Sequence, residues 1–158
     1  MKPLRILLII CIVATLAFIW GHSIASRETS SAESGKVKGI IDGILVDISG
    51  NSQIGISEKI IRKAAHFFEY AALGAEVTLF LLLFYHDRNL TFPQKFPFRI
   101  FFQSGLFSLC VAAIDETIQF FSGRYPSVFD VLLDFAGAVF AGCIVIVSYK
   151  MIGKRRDS

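Results

Sequence analysis

Ten polar or ionisable side chains stand out because they lie within or beside segments that are otherwise apolar. They are Lys63, His66, Glu69, Tyr70, Asp115, Glu116, Gln119, Arg124, Asp130 and Asp134. We interpret this set as a binding site. A histidine and a carboxylate can act as a general acid and base, and clustered carboxylates raise one another's pKa into a useful range. If the protein catalyses a reaction, the catalytic candidates are His66, Glu69, Asp115 and Glu116.

The spacing of His66 and Glu69 also matches that of a pair of metal ligands on one helix. Neither a second histidine nor a cysteine joins this pair at a ligand spacing. We therefore predict no metal site and no cofactor. The three cysteines lie inside apolar segments without a CxxC spacing, and we interpret them as packing residues. They are Cys11, Cys110 and Cys143.

Four apolar segments must position these side chains. Of the 158 residues, 54% are hydrophobic and 18% are charged, and the charges lie mostly between the apolar segments. A helix needs about 17–25 mostly apolar residues to cross a bilayer. The predicted spans are about 4–20, 61–85, 100–121 and 128–149, with a connecting loop over 21–60. The sequence thus predicts an all-α integral membrane protein, a four-helix transmembrane bundle that forms one domain over 1–158.

The first connection raises two questions. The first apolar segment also resembles a secretory signal, because Ser23-Ile24-Ala25 offers a small-residue cleavage site. We favour a retained helix, since three more spans follow it. In the loop, Gly39–Ile48 alternates apolar residues with Gly and Asp. This segment is either a short amphipathic helix on the membrane surface or a loop packed on the bundle.

Basic residues beside the spans predict that both chain ends are cytoplasmic. The residues on that side are Lys2, Arg5, Arg88, Lys95, Arg99, Lys150, Lys154, Arg155 and Arg156. In this orientation the second span starts outside, the third ends outside and the fourth starts outside. The polar residues of three helices should therefore meet at the extracytoplasmic end of the bundle.

Charge and depth limit the function classes. A formal net charge of +3, with no basic stripe interleaved with aromatic residues, argues against a nucleic-acid partner. Ionisable side chains at membrane depth are costly and normally mark a functional path or site. The alternative is that these residues are structural and hydrogen-bond the loops into place. The sequence leaves both interpretations open.

An ordered set of motifs resembles the VanZ-like family. The set is Lys63-x-x-His66-Phe67-x-Glu69-Tyr70-x-x-Leu73-Gly74, then Asp115-Glu116-x-x-Gln119, then Gly123-Arg124, Asp130 and Gly137. The resemblance covers about residues 57–142, and the first span with its Ser23 fits the same layout. One departure is Asp134, where the family pattern usually has Asn. The resemblance implies a multipass bacterial membrane protein, and some family members are linked to resistance against glycopeptide antibiotics such as teicoplanin.

Three functions follow as hypotheses. The first is a cell-envelope protein that binds an outer-leaflet lipid or lipoglycopeptide, with Arg62, Lys63 and Arg124 holding an anion. The second is a membrane enzyme that acts on a lipid or a lipid-linked cell-wall precursor. The third is a small proton-coupled transporter that uses Glu76, for which a homo-oligomer would be required to enclose a pathway. We rank binding first, so the predicted partner is a membrane lipid or a lipid-linked envelope component.

Overall fold

The computed structural model describes residues 2–24, 35–44, 56–87, 97–123, 125 and 127–156. Within these ranges every element of secondary structure is a helix. The five helices are α1 (Lys2–Ile24), α2 (35–44), α3 (Glu58–Asp87), α4 (Phe98–Phe121) and α5 (Val128–Arg156). All except α2 are long and apolar enough to cross a membrane. The predicted all-α architecture with four candidate membrane spans is therefore confirmed.

Of the two alternatives for the connection between the first two spans, the short helix is confirmed. The described helix covers 35–44, which includes 39–44 of the predicted segment, and residues 45–48 lie outside the described residues. Val37, Ile40 and Ile44 recur at helical spacing and are exposed. This apolar stripe makes α2 amphipathic. Its location on a membrane surface remains a prediction.

A hydrogen-bonded aspartate holds α2 next to the start of α3. The carboxylate of Asp42 accepts hydrogen bonds from the Lys38 side chain and, at 3.0 Å, from the backbone N–H of Ile56. The Lys38 hydrogen bond, with the Ile56 hydrogen bond second, holds the pKa of Asp42 below its usual range. Because Ile56 lies two residues before α3, the contact fixes where the long connection returns to the bundle.

Helix α1 is an integral part of the bundle. It packs against both α3 and α4, and Ile19 and Ser23 on its inner face are fully buried. Ile19 belongs to the central apolar cluster, together with Tyr70 and Leu73 of α3. Removing α1 as a secretory signal would expose this cluster, so the packing supports the interpretation of a retained helix.

Glycines allow α3 and α5, which share the most extensive helix–helix interface, to approach closely. A Cβ atom added to Gly74 of α3 would overlap the backbone of Ala138, and one added to Gly137 of α5 would overlap the carbonyl of Phe67. In a membrane, lipid tails are as apolar as leucine, so helix association depends on such close packing. The two glycines therefore set the separation of α3 and α5.

We expect Gly74→Ala and Gly137→Ala each to destabilise the bundle by about 1–3 kcal/mol, because the added methyl group meets backbone atoms that cannot rotate away. Gly21→Ala in α1 is the matched control, since a Cβ there has nothing within 4 Å. That variant should be neutral or up to about 1 kcal/mol more stable. Thermal unfolding of the purified protein in detergent measures the difference. Equal stability of all three variants would contradict the close approach.

Candidate functional site

Polar residues from four helices meet at the end of the bundle where α1 and α4 finish and α3 and α5 begin. We call this region the polar end. Its members are His22, Ser23, Arg62, Lys63, His66, Glu69, Tyr70, Asp115, Glu116, Gln119, Ser127, Asp130 and Asp134. The sequence placed polar residues from three helices here, and the structure adds α1 as a fourth contributor.

A buried hydrogen-bond network around Asp115 joins α1 to α4. The hydroxyl of Ser23 donates to Asp115 Oδ1 at 2.5 Å, and the amide of Gln119 donates to Asp115 Oδ2 at 2.8 Å. The same amide lies 3.4 Å from the Ser23 oxygen. All three residues are buried. Because an unsatisfied carboxylate would be costly at this depth, the network gives Ser23 and Gln119 a structural role.

Glu116 has a second structural role at the start of α5. Its carboxylate accepts a hydrogen bond from the backbone N–H of Ser127, the residue immediately before that helix. A negative charge at this position is favourable, because the N-terminus of a helix carries a partial positive charge. The tight connection from α4 to α5 also uses Gly123 at φ 77°, a left-handed conformation that favours glycine.

Two histidines flank Glu69 at the edge of the polar end. Nδ1 of His22 lies 3.4 Å from Glu69 Oε1, and Nδ1 of His66 lies 3.8 Å from Glu69 Oε2. His22 and Ser23 were missed as site residues in the sequence analysis. A signal was present, because Thr15, Ile19, His22 and Ser23 recur three or four residues apart on one face of α1. The hydroxyl of Thr15, on the same face, donates a hydrogen bond to Glu76 of α3 at 3.1 Å. This face of α1 therefore also provides a partner for the carboxylate of Glu76.

Asp134 and Tyr70 are buried without such partners. Asp134 is only 2% exposed and Tyr70 is fully buried. Among the described residues, Asp134 Oδ1 and the Tyr70 hydroxyl have no hydrogen-bond partner. One nitrogen of His66 and one carboxylate oxygen from each of Asp115 and Asp134 lie within 4.8 Å of one another. Three helices thus bring potential ligand atoms to a single point.

Lys63 and Asp130 form an ion pair at the surface of the polar end. Their charged atoms are 2.5 Å apart, and their side chains are 48% and 36% exposed. A solvent-exposed pair of this kind contributes only about 0–1 kcal/mol. The pair can therefore open at low cost, which leaves Lys63 available to a ligand. Arg124, also a predicted site residue, lies outside the described residues.

A cavity of about 140 Å³ opens at the polar end. This is roughly ten times the space that one buried water requires. The lining residues are Arg62, Lys63, His66, Gln119, Tyr125, Asp130, Leu133 and Asp134. Five predicted site residues are therefore in the wall of the cavity, and four others among the described residues do not line it. Those four are Glu69, Tyr70, Asp115 and Glu116.

The arrangement divides the polar residues into two groups. In the first group, the side chains of Ser23, Asp115 and Glu116 form hydrogen bonds within the protein. In contrast, Arg62, His66 and Asp134 line the cavity and combine a cation, an imidazole and a carboxylate. Such a wall can bind a polar group that carries both negative charge and hydrogen-bond donors.

A family model described as VanZ/LLP1 matches residues 6–149, which include all five helices in whole or in part and every residue of the polar end. The resemblance inferred from the sequence motifs is thus confirmed. No curated protein and no solved structure shows significant similarity to the chain.

Proposed function

This chain belongs to the VanZ/LLP1 family, and on that premise we propose that it is a cell-envelope membrane protein that binds the headgroup of an anionic lipid or of a lipid-linked envelope component. The observation that carries the proposal is the cavity at the polar end, with two basic residues in its wall. Ligand sites are typically concave, with a small number of convergent polar groups that fix the orientation of the ligand.

Arg62 and Lys63 provide the attraction for an anion. Arg62 makes no ion pair among the described residues, and Lys63 is held only by the exposed pair with Asp130. A guanidinium group binds a phosphate or carboxylate through two parallel hydrogen bonds, and an ammonium adds a compact charge. Both side chains line the cavity, so both can reach one headgroup.

An exposed tyrosine supports a location at headgroup depth. Tyr125 lies at the polar end and is 85% exposed. Tyrosine combines an apolar ring with a polar tip, and it is enriched where a membrane meets water. Tyr125 also lines the cavity. A lipid headgroup in the adjacent leaflet would therefore be at the level of the opening.

The acids in the wall narrow the ligand class. Asp130 and Asp134 would repel a bare anion, but they accept hydrogen bonds from hydroxyl or amine groups. A ligand that combines a phosphate with sugar hydroxyls or an ammonium would satisfy both the cations and the carboxylates. This combination favours a lipid-linked saccharide or peptide over a simple phospholipid.

Arg62→Ala combined with Lys63→Ala should weaken binding to vesicles of phosphatidylglycerol by about 10- to 30-fold. The reason is that each basic residue near an anionic surface contributes about 1 kcal/mol. Purified protein in nanodiscs, with lipid competition followed by native mass spectrometry, measures the relative affinities. Phosphatidylcholine, which carries no net charge, is the reference lipid against which the affinity for phosphatidylglycerol is compared.

The matched control replaces one arginine and one lysine at the opposite end of the bundle, Arg99→Ala combined with Lys150→Ala. This variant removes the same net charge and should bind phosphatidylglycerol as the wild type does. If both double variants lose affinity equally, the binding reflects total charge, and the cavity is not the site.

We propose that the polar end faces the exterior of a bacterial cell, with both chain ends in the cytoplasm. The basic C-terminal segment supports this orientation, since basic residues beside membrane spans are enriched on the cytoplasmic side. An alkaline phosphatase reporter fused after Ser158 should be inactive, while one inserted in the loop between α1 and α2 should be active. The opposite pattern would place the cavity on the cytoplasmic side and remove the proposed access to the outer leaflet.

We propose further that ligand binding at the polar end contributes to teicoplanin resistance. In a susceptible host, the wild-type chain should raise the inhibitory concentration of teicoplanin, and variants of the site residues predicted from the sequence should lose most of this increase. The variants are His66→Ala, Glu69→Gln, Asp115→Asn and Arg124→Ala. Immunoblots of membrane fractions control for expression. Full resistance in all four well-expressed variants would show that these residues are structural, and no resistance with the wild type would end the antibiotic hypothesis.

A further inference from the structure

We propose that His66, Asp115 and Asp134 bind one divalent transition-metal ion at the inner end of the cavity, such as Zn²⁺ or Mn²⁺. The sequence predicted no metal site, because spacing along one helix pairs His66 only with Glu69. Helix packing instead joins His66 of α3 to Asp115 of α4 and Asp134 of α5. This inference does not depend on the proposed lipid ligand, because an ion can bind with no lipid present.

The geometry is close to that of a metal site. The three ligand atoms lie within 4.8 Å of one another. Ligands of a tetrahedral ion with bonds of about 2.0–2.2 Å are about 3–4 Å apart. Small rotations of the side chains would close the remaining distance. Because the three residues are held on three packed helices, the site is built on rigid elements rather than on loops.

Unpartnered atoms point to a missing ligand. Asp134 is 2% exposed, and its Oδ1 has no hydrogen-bond partner among the described residues. Nδ1 of His66 is also buried without a hydrogen-bond partner in that part of the chain, with the Glu69 carboxylate 3.8 Å away. A buried polar atom without a partner costs free energy in a native protein, and a bound ion is one way to offset that cost. Both residues also line the cavity, which gives an ion a path of approach.

The charge of the cluster favours a dication. Asp115 and Asp134 are both buried, and two charged carboxylates so close together are unfavourable unless positive charge or hydrogen-bond donors offset them. Ser23 and Gln119 donate hydrogen bonds to Asp115, whereas Asp134 Oδ1 has no donor among the described residues. Among the described residues, Asp134 makes no ion pair with an arginine or lysine. One divalent ion between the two carboxylates offsets both charges, while a neutral imidazole supplies the third bond.

The donor atoms indicate the class of ion. Mg²⁺ and Ca²⁺ prefer sites made of oxygen atoms alone, while imidazole nitrogen suits zinc and other transition metals. One nitrogen and two carboxylate oxygens therefore favour Zn²⁺ or Mn²⁺. Three protein ligands leave at least one coordination position open. Since His66 and Asp134 form part of the cavity wall, the open position would face the cavity.

The test measures metal binding by the full-length chain in detergent, without added lipid. After treatment with a chelator and desalting, the protein is titrated with Zn²⁺ or Mn²⁺. The number of ions bound per chain is measured by inductively coupled plasma mass spectrometry after free ion has been removed. We expect one equivalent per chain for the wild type. Asp134→Asn and His66→Gln should bind at least about 100-fold more weakly, since even residues that only orient a ligand affect affinity by about 10- to 100-fold.

Matched controls replace a histidine and an acid away from the cluster. His86→Gln lies at the opposite end of the bundle, and Glu76→Gln keeps an acceptor for Thr15. Both variants should bind the ion as the wild type does. The double variant of Arg62 and Lys63 should also keep the ion, so loss of lipid binding and loss of metal binding can be told apart.

Thermal unfolding provides the check on folding. Saturating Zn²⁺ should raise the midpoint of the wild type by about 5 °C and leave Asp134→Asn unchanged. Asparagine occupies this position in the family pattern described above, so this variant is expected to fold. The proposal is overturned if the wild type retains no ion, or if folded Asp134→Asn binds it with wild-type affinity.

Discussion

The close contact of α3 with α5 is the constraint on which the polar end depends. Gly137 packs against the carbonyl of Phe67, the residue next to His66 in the chain. Asp134 lies one turn before Gly137 on α5. Because a helix is stiff, contact at Gly137 fixes where Asp134 stands relative to His66, and their ligand atoms come within 4.8 Å. A wider separation of these two helices would leave a histidine and a carboxylate in the same membrane layer without bringing them together.

Burial of carboxylates at this depth then determines what the other helices must supply. Asp115 is fully buried, and it is stable there because Ser23 of α1 and Gln119 of its own helix donate hydrogen bonds to it. The carboxylate of Glu116 accepts a hydrogen bond from the backbone N–H of Ser127, just before α5. Helix α1 is therefore required for more than membrane anchoring. Its Ile19 packs in the apolar core, and its Ser23 donates a hydrogen bond to the buried carboxylate of Asp115.

The two interpretations of the polar residues, structural and functional, apply to different members of the set. Ser23, Asp115, Gln119 and Glu116 hold the helices in register through internal hydrogen bonds. Arg62, His66 and Asp134 line a cavity at the same end. This division supports ligand binding without excluding structural roles, because the first group fixes the geometry that the second group needs. Asp115 belongs to both groups, since the same carboxylate lies beside His66 and Asp134.

The sequence alone determined the features that depend on local pattern. Runs of apolar residues predicted the four long helices, and the ordered motifs predicted the family, because both signals are read along one segment at a time. Asp115 and Gln119 are four residues apart and so share a helix face, and their side chains are hydrogen-bonded. Asp130 and Asp134 have the same spacing, yet Asp130 pairs with Lys63 at the surface while Asp134 is buried. Tertiary structure decided the contacts of His22 and Ser23 and the meeting of His66 with two acids. The physical reason is that the rotation and separation of neighbouring helices depend on contacts between distant segments, and spacing within one helix does not specify them.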